Sequence, residues 1–391
     1  MDLAKRLDRI EVPQTIKMAK LARELALKGI DVINLSLGEP DFSTPNHIIE
    51  AAYQAMTEGY TKYTPVSGIP ELKKAICDKL KRDNQLDYSP EQIIISTGAK
   101  QSLANAVLCL INPGDEVIIP TPYWVTYKGL VDLSEGTTIE VHCPAESGFK
   151  LKPEQLENAI TDKTKLFIFS SPCNPTGAVY SHDELAALVE VFIKYPAITI
   201  ISDEIYEYIN FEGKHISIAS FDAIKDRVLV VNGFSKGFAM TGWRLGYLAG
   251  DTQLVKACDE LQGQITSGAN SITQRAAIVA LNGDMTPTFT MRDQFKLRRD
   301  YLIQELQSIE GIHLDMPDGA FYAFPNVSSF YGRNDINNSE DFAMHLLYHA
   351  NVSTVAGSAF GNDECIRISY AASMEQLQEA VKRIKETLHA I

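Results

Sequence analysis

Five short runs in the middle of the chain constrain its fold more than anything else in the sequence. They are "QIIIS" at 92–96, "EVIIP" at 116–120, "KLFIFS" at 165–170, "ITIIS" at 198–202 and "RVLVV" at 227–231, and they are apolar throughout. A strand with one wet face alternates apolar and polar residues, whereas a continuous apolar run marks a strand covered on both faces. Helical periods lie between the runs, with Leu103, Val107 and Leu110 in register, and later Leu185, Leu188 and Phe192. Strands and helices in alternation predict an α/β fold, a mostly parallel sheet wrapped by helices. "LGYLAG" (245–250) adds a further apolar run. A length of 391 residues, 45% of them hydrophobic, is enough for a large core and a second domain.

The two ends read differently. Residues 16–29 have helical spacing, and "DVINLSLGEPDFSTP" runs from a short strand into a turn-rich loop. Residues 70–82 predict a helix with Leu72, Ile76 and Leu80 on one face. From about residue 285 come helical periods, then "GAFYAFPNV" and "CIRISYA" as alternating strands, then a closing helix through Leu377, Val381, Ile384 and Leu388. Ser373 and Gln376 have capping-box spacing before that helix. The expected division is a large α/β domain over 46–284 and a smaller α+β domain from 1–45 and 285–391.

Several functions are disfavoured. A net charge of -14 leaves no overall electrostatic footprint for nucleic acid or an anionic membrane. No run approaches the 18 apolar residues of a membrane span, and charges interrupt "MDLAKRLDRIEVPQTIKMAK" where a signal peptide needs an apolar core. The six cysteines are scattered without a C-x-x-C pair, which suits reduced thiols and a cytoplasmic location. There is no G-x-G-x-x-G after the first strand, no G-x-x-x-x-G-K-[ST], no H-E-x-x-H and no close His/Cys cluster, so no metal is expected.

In open α/β sheets, ligands bind beyond the carboxyl ends of the strands. Those ends here carry Gly98 and Ala99 opening a helix, Trp124, Asn174, Asp203 with Glu204 and Tyr206, and Ser235 with Lys236. Each alone has a plain reading: a helix cap, a packed indole, an Asn-Pro turn, a solvated helix start, a surface lysine. Gathered at one end of one sheet, they fit a site for pyridoxal 5'-phosphate. A lysine amine forms a Schiff base with an aldehyde. A carboxylate keeps a pyridine nitrogen protonated, which makes the ring an electron sink. A phenol and an amide can bond the ring oxygen, an indole can stack on the ring, and a helix start with a serine and an arginine can hold a phosphate.

The block "SKGFAMTGWRLGY" resembles the S-K-x-F-x-x-x-G-x-R-x-G-Y pattern of the class I, fold-type I pyridoxal-phosphate aminotransferases, and the chain is most similar to the bacterial aspartate aminotransferases among them. "LGEPDF", "YTPVSG", "TGAKQSL", "SPCNPTG", "SDEIYEYI" and "IRISYA" match further blocks in order, so the resemblance covers nearly the whole chain. It implies that Lys236 is the Schiff-base lysine and proton shuttle and Asp203 the pyridinium partner. It implies Tyr206 and Asn174 as ring-oxygen partners, and Ser235, Arg244 and the backbone of Gly98 and Ala99 as the phosphate cradle. Tyr63 resembles a phosphate ligand lent by a second subunit, which implies a homodimer with shared sites. Arg367 resembles the clamp on the substrate α-carboxylate, and Gly38 a backbone contact to it.

The implied reaction is transfer of an amino group between L-aspartate and 2-oxoglutarate in two half-reactions. Where animal-type relatives have an arginine for the side-chain carboxylate, this chain reads "GQITSGANS". The bacterial subgroup uses a lysine after the phosphate-binding glycine and a hydroxyl near the N-terminus, and Lys100 and Thr15 match those places. A helix start is a poor place for a cation, which favours a function for Lys100. Relatives that use prephenate carry a basic residue where Val12 stands, which weighs against that substrate. Aminotransferases for alanine, an aromatic amino acid or prephenate are the alternatives, followed by a lyase or synthase of the same fold. A DNA-binding regulator on this fold would need an added domain, for which the chain has no spare N-terminal segment.

Overall fold

The computed structural model describes residues 2–10 and 14–390, so Val12 lies outside the described residues. The first strand, β1 (Ile33–Asn34), stands apart from the main sheet. The main sheet has seven strands: β2 (Ile93–Ser96), β3 (Glu116–Thr121), β4 (Thr137–His142), β5 (Thr164–Ser170), β6 (Thr199–Asp203), β7 (Val228–Gly233) and β8 (Gly246–Ala249). Their order is β2-β8-β7-β6-β5-β3-β4, and every pairing is parallel except those of β8, which is antiparallel to both neighbours. The five apolar runs are β2, β3, β5, β6 and β7, and "LGYLAG" is β8. The sequence reading passed over β4. It is an edge strand paired only with β3, and its half-exposed "TTIEVH" lacks the continuous apolar run of the others.

Both faces of the sheet are covered. Ile94, Val117, Ile119, Leu166, Ile168, Ile201, Leu229 and Val231 pack with Leu103, Val107 and Tyr127 from the helices on one side. Their chain neighbours Ile93, Ile95, Ile118, Phe167, Ile200, Val228 and Val230 pack with Leu72, Ile76, Leu185, Leu188 and Phe192 on the other. Each such side chain contributes about 1.5–3 kcal/mol on burial, which is why the runs are apolar on both faces through their centres.

The chain ends meet in a further core. Ile33 and Leu35 pack with Phe295, Leu302, Phe342, Val352, Ile366, Ile368, Leu377 and Leu388, and Tyr206 and Ile209 from the middle of the chain join them. Strands β9 (Tyr322–Ala323), β11 (Val355–Ala356) and β12 (Ile366–Ser369) form an antiparallel sheet in the order β11-β12-β9, while β10 (Val352–Ser353) pairs with β1. "CIRISYA" is β12, but within "GAFYAFPNV" only Tyr322 and Ala323 form a continuous ladder; Pro325 has no N–H to give, and Asn326 beyond it makes an isolated bridge to Cys365. Helices run over Gln14–Leu27 and Pro70–Asn84, within two residues of their expected bounds. Ser373 and Gln376 make the expected capping box, with both bonds at 3.2 Å.

This topology positions the site. β2, β3, β5, β6 and β7 all end at one edge of the sheet. Because β8 runs the other way, its first residue lies at the same edge, with Gly246 opposite both Ser96 and Gly233. Arg244, just before β8, is thereby delivered beside the other strand ends.

Candidate active site

A cavity of about 300 Å³ opens at that edge. Of the residues expected from sequence, Ala99, Trp124, Asn174, Asp203, Tyr206, Ser235, Lys236, Arg244, Gly38, Arg367, Lys100 and Thr15 line it. Gly98 stands directly behind Arg244: a Cβ there would come within 2.6 Å of Arg244 Nη2, and its φ of +84° also suits glycine. A Cβ on Gly246 would lie 2.2 Å from the Ala99 nitrogen. The helix Ala99–Leu110 therefore starts in backbone contact with β8, beside Ser235 and the Arg244 guanidinium, whose Nη1 donates to the Thr241 carbonyl at 2.9 Å.

Lys236 follows β7, and its Nζ donates to the Gly38 carbonyl. Burial, reinforced by the positive charge of Arg367, pulls its amine down to about 8. Asp203 is the last residue of β6 and is buried. Its Oδ2 accepts from the Tyr127 hydroxyl at 2.8 Å and its Oδ1 from the Ile205 amide at 3.3 Å. Burial outweighs those bonds and pushes the carboxyl up to about 6. The Tyr206 ring lies 5.7 Å from Lys236 Nζ, and its hydroxyl is 2.7 Å from that of Tyr322.

Arg367, on β12, is 2% exposed, which for a guanidinium demands partners. Nη1 donates to Asn174 Oδ1 at 2.9 Å and Nη2 to the Ser36 carbonyl at 2.7 Å, while Nε has no partner. Both acceptors are neutral, so a buried positive charge faces the cavity uncompensated. Lys100 adds a second cation, its Nζ 4.9 Å from the centre of the Trp124 ring; burial and then Arg244 lower its pKa. In a chain of net charge -14, this one cavity gathers, among the described residues, Lys100, Lys236, Arg244 and Arg367 against Asp203 and Glu39. Its lining therefore favours an anion over a cation.

Tyr63 lies elsewhere. It is fully exposed and lines a separate surface hollow with Tyr60 and Arg275. Six lining residues escaped the sequence reading: Glu39, Tyr127, Ser170, Ile205, Thr241 and Tyr322. Tyr127 sits one helical turn beyond Trp124, past the strand-end loop, and Tyr322 comes from the sheet at the other end of the chain. Glu39 stands inside "LGEPDF" and Thr241 inside "SKGFAMTGW", both already singled out; Thr241 Oγ1 donates to Glu39 Oε2 at 2.8 Å across the cavity mouth.

Comparison with known proteins identifies the family. A family model described as aminotransferase class I and II matches residues 30–384. A probable aspartate/prephenate aminotransferase of Rhizobium leguminosarum bv. phaseoli is 50% identical over 390 residues, 98% of both chains. The aspartate aminotransferase of Bacillus subtilis is 45% identical over 387 residues, again 98% of both. Among solved structures, the aspartate aminotransferase from Rhizobium meliloti superposes with a TM-score of 0.97 at 42% identity, over 100% of this chain and 99% of that one. An alanine aminotransferase from Pyrococcus furiosus reaches 0.94 at 35% identity over the full length of both.

Proposed function

The chain belongs to the class I and II aminotransferases, and on that premise we propose that it moves an amino group between L-aspartate and 2-oxoglutarate, with pyridoxal 5'-phosphate held in the cavity. The observation that carries this reading is the buried Arg367, its Nε unpartnered, sharing a cavity with the lowered amine of Lys236.

The donor set fits the cofactor. Gly98 and Gly246 leave room for no Cβ, and Ser235, Arg244 and the start of the helix at Ala99 offer N–H and O–H donors to a phosphate. Burial raises the Asp203 carboxyl to about 6, and a cationic ring nitrogen beside it would favour its charged form and lower it again. Tyr206 and Asn174 supply donors for a ring oxygen, and Trp124 a flat face. Bound there, the cofactor supplies an aldehyde for the lysine and a ring able to take up an electron pair.

The protein's share is to bind, orient and move one proton. Arg367 and Asn174 fix the α-carboxylate, and Gly38 allows close approach of the backbone. Lys236 Nζ, neutral in a useful fraction because its pKa is about 8, takes the α-proton and returns it. Lys100 and Thr15 receive the side-chain carboxylate of aspartate or 2-oxoglutarate. One clamp serves donor and acceptor in turn, so turnover is ping-pong.

Two further readings belong to the same proposal. Residues 46–284 form the cofactor domain and 1–45 with 285–391 the smaller one, supported by the separate core that joins both chain ends. Tyr63, fully exposed, completes the phosphate site of a second copy in a homodimer. Among the described residues no helix is long and apolar enough to cross a membrane.

Prephenate as amino acceptor is the second reading, favoured by relatives named aspartate/prephenate aminotransferases. The deciding experiment is the visible spectrum of the purified protein with L-aspartate and no oxo acid. Conversion of the cofactor band with release of oxaloacetate is expected. Conversion only by other amino acids would overturn the aspartate assignment, ammonia release without an oxo acid would mark a lyase, and no band after adding the cofactor would sink the whole reading.

A further inference from the structure

Tyr322 touches both halves of the site, yet no step above uses it. It is fully buried on β9, with its backbone opposite Ser369 of β12. Arg367 is two residues from Ser369, so it is the diagonal neighbour of Tyr322 on the same face of the sheet. The Arg367 guanidinium carbon stands 4.5 Å from the centre of the Tyr322 ring, a cation–π distance, while the Tyr322 hydroxyl lies 2.7 Å from that of Tyr206. A Cβ on Gly38 would come within 2.4 Å of the same hydroxyl, so the backbone closes it off on that side.

We propose that Tyr322 is a positioning residue with two partners: its hydroxyl donates to Tyr206 and aims the Tyr206 proton into the cavity, and its ring face holds the Arg367 guanidinium ready for a carboxylate. The proposal rests on the reading of the cavity as a pyridoxal-phosphate aminotransferase site. Each phenol has one proton to give. If Tyr206 donated to Tyr322, its proton would be spent within the pair. If Tyr322 donates, the Tyr206 proton is free for an acceptor in the cavity, and the chain of two bonds strengthens itself. Burial pushes both phenols up, so both keep their protons at neutral pH. The ionisable groups around the pair are Arg367 on the Tyr322 ring, and Asp203 and Lys236 near Tyr206.

Two variants of the cofactor-loaded protein separate the roles. Tyr322→Phe removes the hydroxyl and keeps the ring. The pH midpoint of the visible cofactor band should rise by about half a unit to one unit, because Tyr206 then competes less well for the ring oxygen. Succinate, a dicarboxylate inhibitor probe, should bind it within about twofold of wild type, since each tenfold change needs the loss of a strong contact. Tyr322→Leu also removes the ring, and succinate binding by calorimetry should weaken at least about fivefold, the scale of one lost cation–π contact. An unmoved midpoint in Tyr322→Phe would overturn the hydroxyl role, and unchanged succinate affinity in Tyr322→Leu would overturn the ring role. A fall in Tm alone, in both variants, would make Tyr322 merely structural. If wild-type protein forms no visible band, the functional reading falls and takes the proposal with it.

Discussion

Lys236 and Asp203 stand at the centre of the site, and both are displaced from their ordinary ionisation by the same cause, burial. The two give stability opposite pH dependences in the cofactor-free protein. Asp203 titrates near 6 when folded and near 3.8 when unfolded, so the folded state holds the extra proton between those values. Stability should therefore fall as pH rises from about 4 to 6, by up to about 3 kcal/mol, and Asp203→Asn should flatten that limb. Lys236 titrates lower when folded than when unfolded, so stability should rise with pH above about 8, and Lys236→Met should remove that rise. Urea titrations across the pH range check both signs. Lys236→Ala should also lower the transamination rate by at least about 10²-fold, the usual loss on removing a positioned acid–base, while leaving Arg367 able to bind succinate. Lys236, Asp203 and Arg367 were all legible in the sequence because each follows or sits on a strand within a recognisable block. Tyr127 and Tyr322 were not: a buried tyrosine reads as core until its hydroxyl's partner is known.

The cradle depends on how closely β8 approaches the start of the helix Ala99–Leu110. A methyl group on Gly246 would strike the Ala99 nitrogen and Gly98 carbonyl carbon, both backbone atoms that cannot swing away. Gly246→Ala should weaken cofactor binding at least about tenfold and cost about 1–3 kcal/mol of stability, as overpacking does. Gly242→Ala, with nothing within 4 Å, is the matched control and should leave cofactor affinity unchanged. Equilibrium cofactor titration distinguishes them. At the far end of the chain, Ser373→Ala should remove the cap of the helix Met374–His389 at a cost of about 1 kcal/mol, seen in thermal melts, without moving the cofactor spectrum. Covered strands and capped helices were readable because continuous apolar runs and capping boxes are local. β4 and the shortened β9 were not, since edge position and the end of a ladder are properties of the sheet.

For the whole molecule the open feature is Tyr63, wholly exposed and remote from the cavity of its own chain. Its surroundings are not loosely held: Gln274 donates to Thr64 Oγ1 at 3.1 Å, Gln262 to the Val66 carbonyl at 2.9 Å, and the Ile95 amide to Ser67 at 3.0 Å. A tyrosine so presented is suited to another surface. If it serves the site of a second copy, Tyr63→Ala and Lys236→Ala should each be impaired alone, yet a mixture refolded together should regain activity. Hybrid dimers then hold one doubly damaged site and one intact site. No recovery on mixing, with sedimentation as a monomer, would remove the shared-site dimer.

The sequence by itself determined the sheet, its parallel core and most of the chemistry at its edge, because burial on two faces and strand-end loops leave marks within a few adjacent residues. Tertiary structure alone decided which distant segments close the cavity. Thr15, Gly38, Tyr322 and Arg367 come from both chain ends to meet Lys236, and Arg367 joins Asn174 across 193 positions. It decided, too, that Arg367 is buried facing neutral acceptors and that Lys236 and Asp203 shift toward each other's range. Desolvation depends on everything packed around a group, and no local stretch of sequence records that.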